Sequence, residues 1–207
     1  MDAPGRPVVV KLGGSFAFSP QLRLWVEALA ACAGRVVIAP GGGPFADTVR
    51  SAQKRMGFDE RAAHEMALLA MAQYGRALMS FNGLLSAADS IEDIHRDLAR
   101  GRVPVWMPAR MAAIAGDISP TWDATSDSLA AWLAGRIGAS RLLLVKHVEF
   151  QWNRAHANDL VAMGIVDKEF VRHLETSGAE VFILGPADHR IAAAAIRDGA
   201  PVGIPVG

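Results

Sequence analysis

Five short apolar runs punctuate this chain: "PVVVKL", "RVVIAP", "VPVWMP", "RLLLVK" and "EVFILG". In each, apolar residues stand at consecutive rather than alternate positions. A strand reads this way when both of its faces are covered, as in a parallel sheet with helices above and below. The segments between the runs carry helical patterns. In "SPQLRLWVEALAACAG", Ser19 is placed to cap, Pro20 suits a first turn, and Leu22, Val26 and Leu29 share one face, with Gly34 as the stop. "PFADTVRSAQKRM" reads as a helix ending at Gly57, and Asp59 opens the long "ERAAHEMALLAMAQYGRALMSF". Ser90 caps "IEDIHRDLARG", and "TSDSLAAWLAGRIG", "DKEFVRHLETSG" and "ADHRIAAAAIRDG" complete the set before a short "PVGIPV". Strands alternating with helices of this length require right-handed crossovers and a mainly parallel sheet. The expected class is therefore α/β.

The 207 residues suit one domain spanning 1–207, with no repeat, low-complexity tract or linker to divide it. Half the chain is hydrophobic and a fifth charged, as in soluble globular proteins. Basic and acidic residues balance at 21 each, so there is no electrostatic footprint for nucleic acid and nothing to draw the chain to an anionic membrane. "MDAPGRP" has no apolar core of a signal peptide, and no apolar run is long enough to span a bilayer. The single cysteine, Cys32, excludes an intrachain disulfide and reads as a small core residue, which fits a reducing, cytoplasmic compartment.

In an open parallel sheet, ligands bind beyond the carboxyl ends of the strands. Three polar or glycine-rich clusters fall there: "KLGGS", "PGGGPF" and "TSDS". In the first, Gly13 and Gly14 let a ligand approach the backbone, and Lys11 sets a full positive charge beside them, an arrangement suited to phosphate. The sequence is neither a P-loop nor G-x-G-x-x-G, and Gly-Gly after a strand is by itself the mark of a plain tight turn. In the second, Gly41, Gly42 and Gly43 lead into a helix whose N-terminal amides favour an anion. Arg50, two turns on, either reaches a phosphate or is solvated. In the third, Asp127 follows Thr125 and Ser126 at a helix entrance. It is a cap, a partner that keeps Lys11 charged, or both. A lysine, glycine amides and a helix N-terminus are what phosphoryl transfer needs, since that chemistry rests on position and positive charge. The six histidines are scattered without zinc spacing, and Ser15 has no partner base or nucleophile elbow.

Taken in order, "VVVKLGGS", "VVIAPGGGPFADTVR" and "TSDSLAAWLAGRIGASRLLLVK" resemble the amino acid kinase superfamily. The shortness of the chain, the helix containing His64, and "TWDATSDSLA", "ANDL" and "VDKEF" look like its aminomethyl-furanmethanol phosphate kinase branch. The resemblance implies a three-layer αβα sandwich with ATP in one half of the strand-end crevice and the acceptor in the other. It implies ATP-dependent conversion of a small phosphorylated acceptor to its diphosphate, in the synthesis of a methanofuran-type one-carbon carrier. Carried over by position, Lys11 stabilises the moving phosphoryl group and Asp127 orients it. Gly13, Gly14 and Ser15 bind ATP phosphates, with Gly185 also on the cofactor side. Gly41, Gly42, Gly43, Arg50, Thr125 and Ser126 serve the acceptor. Mg²⁺ arrives with ATP, held by phosphates and water and by no dedicated protein ligand. The resemblance and the apolar stretch from Met66 to Met79 imply a homo-oligomer.

Two departures follow the fourth run. Where the family has a "TDVDG"-type stretch, this chain has "KHVEFQWNR", with Phe150 at the glycine position. Phe150 and Trp152 either stack on a base or pack in the core. The late lysine of several family members has only Lys168 as a counterpart by order, and Lys146, nearer the crevice, is preferred as the second cation. Charge complementarity offers Arg50 or Arg110 to an acceptor phosphate and Asp123 to its amine. The altered stretch keeps a non-catalytic ligand-binding member of the fold in view, and a small-acid or carbamate kinase is the other alternative.

Overall fold

The computed structural model describes residues 5–150 and 152–207. Most of "MDAPGRP" and Gln151 of "KHVEFQWNR" therefore lie outside the described residues. The valines of the first strand, β1 (Val8–Leu12), show how the layers arise. Val8, Val10 and Leu12 enter one hydrophobic core, while Val9 enters another on the opposite face. Two-residue alternation thus divides a run that looks uniform in sequence. The same division runs through β2 (Val36–Pro40) and β5 (Arg141–Val145), where Val37, Leu142 and Leu144 join Val9, and Val36, Ile38, Leu143 and Val145 join Val10.

The sheet has seven strands among the described residues, in the order β3-β4-β2-β1-β5-β6-β7, with β3 (Leu85–Ala88), β4 (Val103–Trp106), β6 (Glu180–Leu184) and β7 (Ile204–Val206). All neighbours are parallel except β7, which runs antiparallel to β6. Around it pack α1 (Gln21–Ala30), α2 (Gly43–Met56), α3 (Glu60–Met79), α4 (Ile91–Ala99), α5 (Ala109–Ala112), α6 (Ser126–Arg136), α7 (Ala157–Ala162), α8 (Phe170–Ser177) and α9 (His189–Asp198). Helices α1 and α9 cover the Val10 face, through Trp25, Leu29 and Ile196, and α6 and α8 cover the Val9 face. The result is the αβα sandwich with a mainly parallel sheet that the sequence predicts.

Several elements differ from the sequence reading. "LSAA" forms β3, so "VPVW" is the fourth strand and not the third. Short α5 and α7 also appear. The first helix starts after Pro20, with Ser19 Oγ accepting from the Gln21 amide at 3.2 Å. Asp59 caps α3 by accepting from the Ala62 amide at 2.8 Å, and Gly57 ends α2 in the left-handed region. Cys32 is buried, and burial raises its thiol pKa, as a core residue requires. No helix among the described residues is long and apolar enough to cross a membrane.

The chain moves from β1 to one side, through β2 and β4, and then returns to place β5 on the other side of β1. The carboxyl ends of β1, β2 and β5 therefore surround the point where the winding reverses, the usual seat of a ligand in such sheets.

Candidate active site

Alternation decides where the two lysines go. Lys11 lies two residues beyond Val9 and so shares the α6 face. Lys146 lies two residues beyond Leu144 and shares it as well. Lys11 pairs with Leu144 in the β1–β5 register, which leaves Lys146 one pleat further toward the ligand edge. Helix α6 runs back under the sheet, so its first turn lies at that same edge. Asp127 sits in that turn and is buried. Its Oδ1 is 2.9 Å from Lys11 Nζ, and both of its oxygens are 2.8 Å from Lys146 Nζ. Lys146 Nζ also donates to the Ile165 carbonyl.

Burial alone would raise the Asp127 carboxyl, but the ammonium groups of Lys11 and Lys146 outweigh it and hold the pKa below the ordinary carboxylate value. Burial and the neighbouring Lys11 push Lys146 down to about 8, against the pull of Asp127. With all three ionised, the cluster carries one net positive charge at the edge of the sheet.

Two glycine loops meet above this cluster. The first forms a 3-10 turn, Gly14–Phe16, and the second enters α2. They touch backbone to backbone: a Cβ on Gly14 would stand 2.1 Å from the Gly43 nitrogen, and one on Gly41 would stand 2.4 Å from the Gly14 nitrogen. Glycine is demanded at these positions by the contact between loops, whatever a ligand adds. Lys11 Nζ reaches the first loop, 3.6 Å from where a Gly13 Cβ would lie.

Beside the loops opens a cavity of about 290 Å³. Gly14, Ser15, Gly42 and Gly43 form one wall, and Thr125 and Ser126 form another. Leu68, Met71 and Leu129 make it partly apolar. Arg50 lies over the Trp122 ring, 4.2 Å from its centroid, and 3.5 Å from Asp47. Trp122 is held in turn by its indole N–H, which donates to Gln53 Oε1 at 2.7 Å. His64 also lines the cavity, and burial lowers its pKa, so the ring is neutral near pH 7.

The structure thus gathers Lys11, Asp127 and Lys146 into one cluster, and Gly14, Ser15, Gly42, Gly43, Arg50, Thr125 and Ser126 around one cavity. Gly41 sits in the loop contact behind it, its amide donating to the Leu12 carbonyl at 2.9 Å. Gly185 stands apart, its amide committed to Asp188 Oδ2 at 2.7 Å. Lys168 is exposed and paired with Asp123 at 2.7 Å, so Asp123 already has a cation and does not line the cavity. Arg110 lies on α5, also outside the cavity lining. Phe150 and Trp152 pack on each other with centroids 5.3 Å apart, and His147 meets Phe16 edge-on at 5.0 Å.

A family model described as the amino acid kinase family matches residues 6–150. The chain belongs to the amino acid kinase family. A curated relative, the [5-(aminomethyl)furan-3-yl]methyl phosphate kinase of Methanocaldococcus jannaschii, is 24% identical over 173 residues, covering 78% of this chain and 80% of that one. Among solved structures, uridylate kinase from Archaeoglobus fulgidus superposes with a TM-score of 0.74 at 19% identity, over 97% of this chain and 100% of that one. UMP kinase from Ureaplasma parvum gives 0.70 at 16% identity, over 98% and 99%. These structural likenesses establish the shared fold. Membership makes the chain a kinase, and the lysine pair beside glycine loops is consistent with phosphoryl transfer.

Kinases of this family use ATP, generally with Mg²⁺. Among the described residues no three His, Cys, Asp or Glu side chains converge on a metal position. Asp127 has both oxygens on lysines. Among the described residues, a Mg²⁺ brought with ATP would rest on nucleotide phosphates and water.

Three residues at the candidate site carry no local signal of it in the sequence. His64 and Trp122 line the cavity, and Asp167, next to Lys168 in "VDKEF", bonds to Thr125 and Ser128 at the start of α6. Only folding brings these residues to the site.

Proposed function

We propose that this kinase transfers the γ-phosphoryl group of ATP to a small phosphorylated acceptor, [5-(aminomethyl)furan-3-yl]methyl phosphate, giving the diphosphate in methanofuran-type cofactor synthesis. The observation that carries the reading is the pairing of the Lys11–Asp127–Lys146 cluster with an adjoining cavity that offers both a cation and apolar wall. In the transfer, an oxygen of the acceptor phosphate forms a bond to the γ-phosphorus, and the bond from that phosphorus to the β–γ bridging oxygen breaks, releasing ADP. A phosphate monoester has a second pKa of about 6, so at neutral pH the attacking oxygen is already ionised. No general base is needed. That agrees with a site whose carboxylate is engaged by two lysines.

Lys11 and Lys146 offset the charge gathering on the transferring group. Gly13, Gly14 and Ser15 receive ATP phosphates. Arg50 takes the acceptor phosphate, and Gly42, Gly43, Thr125 and Ser126 frame it. The apolar wall of Leu68 and Met71 suits a flat ring. The 24% identical relative, whose name carries this acceptor, supports the choice. The reading also includes a cytoplasmic location and a homo-oligomer, the latter supported by exposed Phe45, Met66 and Leu69 on α2 and α3.

The test is ADP release with ATP, Mg²⁺ and a panel of acceptors: the furan phosphate, UMP, and small acids with hydroxylamine present. Turnover dependent on the furan phosphate is expected. Turnover with UMP alone, or trapping of an acyl phosphate, would replace the acceptor. No turnover and no nucleotide binding by calorimetry would make the chain a non-catalytic member of the fold.

A further inference from the structure

Asp127 is placed by its helix, and the helix is placed by another carboxylate. Helix α6 begins at Ser126 without a side-chain cap from its own N-cap residue, Thr125. The four amides that open a helix lack partners within it. Here Asp167, 42 residues from Thr125 in sequence, takes two backbone amides at this end, those of Thr125 and Ser128. Its Oδ2 accepts from the Thr125 amide at 3.0 Å, from the Thr125 hydroxyl at 2.7 Å and from the Ser128 amide at 3.1 Å. Its Oδ1 accepts from the Ser128 hydroxyl. Four donors on the residues flanking Ser126 and Asp127 thus converge on one side chain.

The segment that carries Asp167, between α7 and α8, is held at three further points, one on Lys146 and two on Asp123 just ahead of α6. Lys146 donates to the Ile165 carbonyl, Lys168 pairs with Asp123, and the Glu169 amide donates to the Asp123 carbonyl at 3.0 Å. A charged acceptor at a helix N-terminus also complements the helix dipole. Its negative charge balances the net positive charge of Lys11, Asp127 and Lys146.

We propose that Asp167 is a positioning residue for phosphoryl transfer: it clamps the first turn of α6 and so fixes where Asp127 meets Lys11 and Lys146. The proposal rests on the kinase reading for its effect on turnover, and on geometry alone for its effect on the lysines. It assigns Asp167 no contact with either substrate. Because its oxygens fill the Thr125 and Ser128 amides, it also removes those donors from the acceptor, leaving the Arg50 side of the cavity to hold the phosphate.

The experiment compares wild type with Asp167→Asn, which keeps the size of the side chain but removes its charge and one acceptor. Kinetics are read as kcat and both KM values, with Ser90→Ala as control. Ser90 caps α4 away from the site, accepting from the Asp93 amide at 3.1 Å. In Asp167→Asn, kcat falls about 100-fold, the effect of misplacing a catalytic group by an ångström, while both KM values stay near wild type. In Ser90→Ala the melting temperature falls and kcat does not. A kcat unchanged in Asp167→Asn, or lowered only in step with the folded fraction, overturns the proposal.

A second readout does not need turnover. The Lys146 ammonium is followed by side-chain NMR against pH, assigned with Lys146→Arg. It is faced by Lys11 from β1, Asp127 from α6 and Asp167 from the α7–α8 connection. Loss of the Asp167 charge lowers its ionisation further, and an unshifted titration overturns the positioning role. Failure of wild type to turn over any acceptor sinks the kinase reading and leaves this titration decisive. Should Asp167→Asn not fold, Ser128→Ala, which deletes one of the four donors, serves instead. It shifts kcat and Lys146 in the same directions by less, and no shift in either overturns the proposal.

Discussion

Lys146 Nζ lies 2.8 Å from each oxygen of Asp127, a symmetrical pairing made while the same carboxylate holds Lys11 at 2.9 Å. One buried anion therefore organises two cations from neighbouring strands. Because the lysines leave β1 and β5 on the same face, their separation is set by the sheet, and the position of Asp127 is set by α6.

Replacing Asp127 by Asn removes the anion and leaves two ammonium groups together in a buried site. Turnover should fall about 100-fold, because Lys11 and Lys146 lose the group that aims them. Stability should fall by about 3 kcal/mol, the low end for losing one partner of a buried pair. The low end applies because Lys146, already pushed down to about 8, can shed its proton to relieve the repulsion. Steady-state kinetics and urea unfolding check the two numbers. Wild-type kcat in this variant would remove Asp127 from the mechanism.

The depressed Lys146 makes activity and stability move in opposite directions at alkaline pH. Its pKa falls from the ordinary 10.5 to about 8. As pH rises through about 8, the folded protein loses the Lys146 charge, so kcat should decline if that cation serves phosphoryl transfer as proposed. Between about 8 and 10.5 the unfolded chain binds a proton that the folded chain does not, so stability from this residue rises with pH. Below about 8 both states hold the proton, and the residue is a constant cost to folding. A kcat profile and a set of unfolding curves across pH 7–10 test this. Lys146→Ala should be slow and should lose the alkaline limb, and a limb that persists would belong to another group.

Gly14→Ala tests the loop contact. The new Cβ would meet backbone, the Gly43 nitrogen at 2.1 Å, and backbone cannot rotate away as a side-chain tip can. Overpacking of this kind costs about 1–3 kcal/mol. Relief requires the two loops to part, which displaces the phosphate site, so ATP affinity should fall along with stability. Gly83→Ala is the control, since its Cβ meets nothing within 4 Å. Equal behaviour of the two variants, by thermal melts and nucleotide calorimetry, would remove the steric argument.

Much of this architecture was legible because burial on both faces writes itself into consecutive apolar residues. "VVVKL", "VVIAP" and "RLLLV" could be read as strands without knowing their neighbours. "LSAA" could not: Ser and Ala have little strand preference, and β3 exists because Leu85–Ala88 pairs with Val103–Trp106. The same limit governs the site. Lys11 and Lys146 stand beside recognisable strand ends, and Asp127 stands at a recognisable helix entrance. Asp167 looks like an ordinary residue in "VDKEF", because its four donors lie about forty positions upstream. Local pattern carries the groups attached to regular elements. Contacts between distant loops leave no periodic trace.

Arg50 is the cavity's cation, and its role can be separated from that of the lysines. It is exposed along part of its length, lies 4.2 Å over Trp122, and makes a 3.5 Å pair with Asp47. Losing an exposed cation–π contact costs about 0.5–1 kcal/mol, so Arg50→Ala should fold nearly as well as wild type. If Arg50 takes the acceptor phosphate, the variant loses a charge-assisted bond of about 1.5–3 kcal/mol, and the acceptor KM should rise about 10–100-fold. The KM for ATP should not move if Gly13 and Gly14 hold that side, as proposed. Trp122→Phe keeps a ring beneath the guanidinium but loses the 2.7 Å bond to Gln53, so its effect on the acceptor KM should be smaller. Arg50→Lys keeps the charge without the planar fork and should recover only part of the affinity. An acceptor KM unchanged in Arg50→Ala would move the acceptor phosphate off this helix and onto the glycine loops.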